Sequence, residues 1–144
     1  MVRKKCLASI KKAIVIVAAI ASVLSVGREV LAASKTFSKK FVDSNQWTTV
    51  VSATKDSTSG FCSVTINDIY DANGKACNYK KVKAACYYSK NVAVNNSSYT
   101  VTKGKMCIMG YKGGFSVIGR TMTLKAMGNN PSLDCRISGA FNPD

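Results

Sequence analysis

From Trp47 onward the chain runs in short stretches in which apolar and polar residues alternate strictly, each stretch closed by a cluster of turn residues. Alternation of this kind puts every second side chain on one face, which suits a half-buried β-strand and no other element. Trp47, Thr49, Val51 and Ala53 alternate with Thr48, Val50 and Ser52. Cys62, Val64 and Ile66 alternate with Phe61, Ser63 and Thr65. Val82, Ala84, Cys86 and Tyr88 alternate with Lys81, Lys83, Ala85 and Tyr87. The pattern returns at Met122, Leu124 and Ala126 and at Leu133, Cys135 and Ile137. The intervals hold Ser57 to Gly60, Asp71 to Gly74, Asn95 to Ser98, Lys112 to Gly114 and Gly128 to Pro131. Asn-Gly and Gly-Gly supply the positive φ that tight hairpins need. The spacing predicts an all-β, antiparallel sandwich or barrel-like domain of about 7–9 short strands. Residues 34–45 read as a loose arm, or as a first edge strand through Phe37 and Phe41.

The first 33 residues differ in kind. Arg3, Lys4, Lys5, Lys11 and Lys12 come first, with no acid among them. An apolar run extends from Ala13 to Val26, and then comes Leu31-Ala32-Ala33. A positive start, an apolar middle and small residues at the end mark a secretory signal, helical when it enters the membrane. Ala13 to Val26 falls short of the roughly 20 residues that span hydrocarbon, which favours a cleaved signal over a membrane anchor. Cleavage is expected between Ala33 and Ser34. Residues 1–33 would then be a signal peptide and 34–144 a single exported domain, extracellular or associated with the cell envelope.

Cleavage would take six bases and one acid from totals of 21 and 7, leaving 15 against 6 in residues 34–144. The positive balance therefore belongs to the domain itself, and favours anionic partners at long range. Lys75, Lys80, Lys81 and Lys83 form one cluster; Lys103 and Lys105, with Lys112, form another. Lys81 and Lys83 share a face opposite Val82, Ala84 and Cys86, so they are expected to project outward as a stripe near Tyr79 and Tyr87. Lysine beside tyrosine suits an anionic envelope polymer or membrane surface. Lysine also blunts sheet edges against aggregation. Phe115, Tyr111, Met109 and Met127 are candidates for an apolar surface, with core packing the better expectation for most of them. Nucleic acid is not expected, since no recognition motif is present and export would separate the protein from it.

Cys62, Cys77, Cys86, Cys107 and Cys135 lie beyond the signal, and an exported protein meets an oxidising compartment. Five cysteines make at most two disulfides, and spacing cannot choose the pairs. Cys62, Cys86 and Cys135 are expected to point inward. Cys77 and Cys86 would close a local loop if joined. Cys107, between Met106 and Ile108, is expected on the opposite side of its strand from them. The sequence has no histidine. That removes Ser-His and Cys-His catalytic pairs and imidazole metal ligands. The cysteine spacings do not suit zinc, and the six aspartates form no obvious acid pair. No enzyme activity, metal or cofactor is expected.

Near its end the chain reads Gly128-Asn129-Asn130-Pro131, a strand, and then Ser138-Gly139-Ala140-Phe141-Asn142-Pro143-Asp144. This Ser-Gly-x-aromatic-x-Pro-Asp ending resembles small secreted proteins of Gram-positive bacteria without an assigned activity. It differs from them in Phe141, where Trp is commoner, and in its many cysteines. The resemblance implies export and a β-domain, and no site residues. The expectation is a secreted, basic, non-enzymatic binding protein acting at an anionic surface such as the envelope. A secreted antimicrobial or toxin-like protein, and a structural or inhibitory module for a protein partner, are the alternatives.

Overall fold

A computed structural model describes residues 34–89, 92–113, 118–130 and 133–144. The expected signal helix, the Ala33 side of its cleavage site, and Phe115 lie outside these residues. Among the described residues nine strands occur in chain order: β1 (Lys35–Val42), β2 (Thr48–Thr54), β3 (Phe61–Asp71), β4 (Lys81–Tyr88), β5 (Val92–Ala93), β6 (Tyr99–Thr102), β7 (Met106–Gly110), β8 (Thr121–Gly128) and β9 (Cys135–Asn142). They form two antiparallel sheets in a sandwich-like arrangement. Sheet A has the order β1-β9-β3-β7; sheet B has β2-β8-β4-β5, with β6 also pairing with β4. One apolar core runs through Val42, Cys62, Val64, Ile66, Ile69, Val82, Cys86, Val101, Met109, Leu124, Ile137 and Phe141, all essentially without solvent contact.

Three departures from simple alternation reposition side chains. Residues 35–42 form the edge strand rather than a loose arm. Its register with β9 slips between Phe37 and Lys40, where Lys39 has φ 45°. Phe37 therefore turns inward while Phe41 is left exposed. In β2 the register shifts between Thr49 and Val51, so Val50 rather than Val51 is fully buried. A bulge adds one residue to one strand and moves the residues after it to the other face. The third departure is at the end of the chain. Leu133 is exposed ahead of β9, whereas Ser138 to Asn142 belong to the strand.

Gly139 shows why that segment has its sequence. A Cβ at this position would lie 2.0 Å from the Thr65 carbonyl oxygen. The register between β3 and β9 shifts nearby, between Ile66 and Asp68. The two backbones come so close that only glycine fits. Phe141, two residues on, is fully buried in the core.

Candidate anion-binding face and buried thiol pair

On β4, Val82, Ala84 and Cys86 are buried, which turns Lys81, Lys83 and Tyr87 to the outer face of sheet B. Antiparallel pairing sets Lys83 opposite Met127 and Ala85 opposite Lys125 of β8. Thr100 and Thr102 of β6 stand opposite Lys83 and Lys81. The Lys125 ammonium lies 4.5 Å from the centre of the Tyr87 ring, and Trp47 packs on the same ring at 6.3 Å. On the inward side of β4, by contrast, Tyr88 packs against the core, and the Arg120 guanidinium covers its ring and donates to its hydroxyl at 2.7 Å, so this pair is not part of the outer face. The strands of sheet B contain no Asp or Glu. Cations and aromatic rings thus share a face to which its own strands contribute no carboxylate.

A recess of about 290 Å³ opens at the end of this sheet, where β4 begins and β8 ends. Asn78, Tyr79, Lys80 and Lys81 form one wall; Gly128, Asn129 and Asn130 form another; Leu133 and Cys135 complete it. Two lysines and three asparagines border it, and among the described residues no acidic residue does. The neighbouring Asp134 accepts the Ser44 backbone N–H at 2.8 Å. Such a lining matches an anionic, hydroxyl-bearing ligand in charge and in hydrogen-bonding capacity.

The expected lysines separate into two groups. Lys80, Lys81 and Lys83 succeed one another from the recess onto the face. Lys103 instead pairs with Asp68 at 3.0 Å. Lys75 sits in the turn after β3, where its backbone N–H donates to the Asp71 carboxylate at 2.9 Å. Lys105 comes after the tight turn at Gly104, whose φ is 75°. Lys125 was not singled out by the sequence, because an isolated lysine in an alternating strand gives no sign of which neighbours its face will share. Of the apolar surface candidates, Met109 is core, while Tyr111 and Met127 are half-buried.

The cysteines also divide. Cys62 on β3 and Cys86 on β4 are fully buried and lie 4.0 Å apart across the two sheets, as unbonded thiols. Asn95 braces the pair: its side-chain oxygen accepts the Cys86 backbone N–H, and its amide donates to the Gly110 carbonyl at 2.7 Å. The hydrogen bond with Cys86 holds the Cys62 thiol below its ordinary pKa, while the same bond and burial push Cys86 up. Tyr111 stands beside both sulfurs, and burial raises its phenol. Its hydroxyl donates to the Pro143 carbonyl. Cys77 does not join Cys86 in a local loop; its thiol lies against the Ile69 carbonyl at 3.5 Å. Cys135 is buried as expected, and burial lifts its pKa to about 11. Cys107 does lie opposite Met106 and Ile108, and the inward side is the one it takes. Met106 and Ile108 are exposed, while Cys107 packs against the core beside Met109.

Lys55 is a further polar residue that sequence reading missed. It comes directly after β2 and is completely buried. Its ammonium donates to Ser59 Oγ at 3.0 Å, and to the Pro143 carbonyl and Asp144 Oδ1 at 3.4 Å each. The Tyr111 ring centre lies 5.2 Å away. A lysine between Thr54 and Asp56 gives no hint of burial.

No protein-family model matches the chain, and neither does any curated protein or solved structure.

Proposed function

We propose that this is an exported, non-enzymatic binding protein that docks on an anionic polymer of the cell envelope through the outer face of sheet B. One observation carries the reading: Lys80, Lys81, Lys83 and Lys125 line a recess and an adjoining face whose strands hold no acid. Scattered solubilising charge would mix both signs. Here the acids lie outside the strands of sheet B, and two of the six expected lysines sit beside carboxylate-bearing residues, Asp68 and Asp71. The Trp47–Tyr87 pair gives the same face aromatic surface on which the ring of a sugar can rest. Export and disulfide formation belong to the same reading.

The test is retention of the purified protein on isolated envelopes and on anionic vesicles across a salt series. The Debye length falls from about 10 Å at 0.1 M to about 3 Å at 1 M, so charge-driven binding should weaken steeply. Retention on envelopes that is lost at high salt supports the proposal; no retention at low salt overturns it. A second reading, a module for a protein partner, is favoured by Phe61, Met106 and Ile108. These three exposed apolar side chains lie on β7 and the strand paired with it, at the edge of sheet A. Binding to one protein that is indifferent to salt would point there instead.

A further inference from the structure

We infer that Cys62 and Cys86 form a disulfide that ties sheet A to sheet B. The inference takes its oxidising setting from the export reading above; the choice of partners rests on geometry alone. Both thiols are buried on interior strands, β3 between β9 and β7, and β4 between β8 and its two short partners. They already lie 4.0 Å apart, and a bond of about 2.05 Å requires only a small approach of the two side chains.

The other cysteines are less well placed. Cys107 is the nearest rival on chain position, since β7 pairs with β3. The register sets Cys62 opposite Met109 and Cys107 opposite Val64, so Cys62 and Cys107 are diagonal neighbours. Diagonal neighbours are about 7–8 Å apart, their Cβ atoms somewhat less, which is still beyond the roughly 3.5–4.5 Å between Cβ atoms that a disulfide spans. Cys77 is held at the Ile69 carbonyl, and Cys135 opens onto the recess at the end of sheet B.

The chemistry is thiol–disulfide exchange with a small-molecule or protein disulfide, R–S–S–R. Cys62 gives up its proton and its sulfur attacks one sulfur of the oxidant, breaking that S–S bond and releasing R–S⁻, which takes the proton. Cys86 then gives up its proton and attacks the Cys62 sulfur of the mixed disulfide, releasing the second R–S⁻, which is protonated in turn. Two protein thiols lose two electrons, and the oxidant becomes two R–SH. Both sulfurs are shielded in the folded protein, so the exchange belongs to folding, before the sheets close.

The experiment refolds the purified full chain with glutathione disulfide, blocks remaining thiols with iodoacetamide and maps the peptides without reduction. One linked species joining the Cys62 and Cys86 peptides is expected. It should persist in the C77S/C107S/C135S triple variant. Links from Cys62 or Cys86 to any other cysteine, or alkylation of both, would overturn the inference. Fractionation of the producing cell decides export separately. Chain retained inside the cell counts against export, whereas the bridge stands or falls on the peptide map of the refolded chain.

Discussion

Lys55 holds its ammonium 3.4 Å from Asp144 Oδ1 in a place where the lysine side chain has no solvent contact and the aspartate side chain has 14%. The same carboxylate accepts the backbone N–H groups of Asp56 and Ser57, at 3.0 Å each. The Pro-Asp end of the chain is thus bolted to the loop between β2 and β3. Removing one member of a buried ion pair leaves the other charged and uncompensated, at a cost of about 3–5 kcal/mol. Asp144→Asn keeps the shape but loses the charge, so a loss at the lower end of that range is expected in urea unfolding. Combining it with Lys55→Met should recover stability, because the orphaned charge is then gone. A double variant no more stable than the single one would count against a charge-based lock.

Gly139→Ala tests the close passage of β9 over Thr65. The added methyl meets backbone, which cannot rotate away, at 2.0 Å before any shift. Strand separation near the bulge must increase, and a loss of about 3 kcal/mol or more is expected. Ala140→Gly, one residue on and half-buried, serves as the control, with a loss near 1 kcal/mol from backbone freedom. Equal effects at the two sites would mean that the approach is not tight.

Much of this fold is legible in alternation. Cys62, Val64 and Ile66 point inward as their pattern predicts, as do Val82, Ala84 and Cys86. Alternation fails where a bulge intervenes, at Phe37–Lys40 and Thr49–Val51. An extra residue changes the face of all those after it, and its local sequence is ordinary. The face carrying Lys81 and Lys83 was legible from β4 alone. Its extension to Lys125 and Trp47 was not, because that depends on β8 pairing with β4, and β2 with β8, in sheet B. Nor does cysteine spacing select Cys62 with Cys86; the packing of sheet A against sheet B brings them together. The Ser-Gly-x-aromatic-x-Pro-Asp ending has a structural explanation here, in the crossing at Gly139, the burial of Phe141 and the bolt at Asp144.

The inter-sheet bridge has a measurable thermodynamic consequence. Closing the loop from Cys62 to Cys86 restricts the unfolded chain by about 3–4 kcal/mol in the chain-entropy account. For a domain of this size that corresponds to about 10–15 °C in Tm. Oxidised protein is therefore expected to melt well above the same protein held in reductant. The C77S/C107S/C135S variant should retain most of that difference, and the C62A/C86A variant should show little of it.

Reduced protein should also weaken in alkali. Burial raises the Cys135 pKa from 9.0 to about 11, so the folded state binds this proton more tightly than the unfolded chain does. The stability this confers is complete below about pH 9 and is lost as pH rises toward about 11. Cys107 is shifted the same way by burial. The urea midpoint in reductant is expected to fall across that window, and Cys135→Ala to make the fall shallower. A midpoint that stays level from pH 8 to pH 11 would contradict the assignment.

The binding face gives the sharpest functional contrast, because lysines on one molecule can be compared at equal change in net charge. The K81Q/K83Q/K125Q variant removes three cations from the acid-free strands of sheet B. K75Q/K103Q/K105Q removes three from elsewhere, one of them paired with Asp68. If total charge alone draws the protein to an anionic envelope, the two variants should lose affinity equally. If the face does, the first should bind at least tenfold more weakly at 0.1 M salt, roughly 1.4 kcal/mol, and its salt dependence should flatten. The second should change little, since an exposed lysine with a carboxylate neighbour adds little field beyond about a Debye length of roughly 10 Å. Substituting Trp47 with Ala, which leaves charge untouched, should weaken binding to a saccharide polymer more than binding to anionic vesicles. That separates a sugar-bearing ligand from a lipid surface.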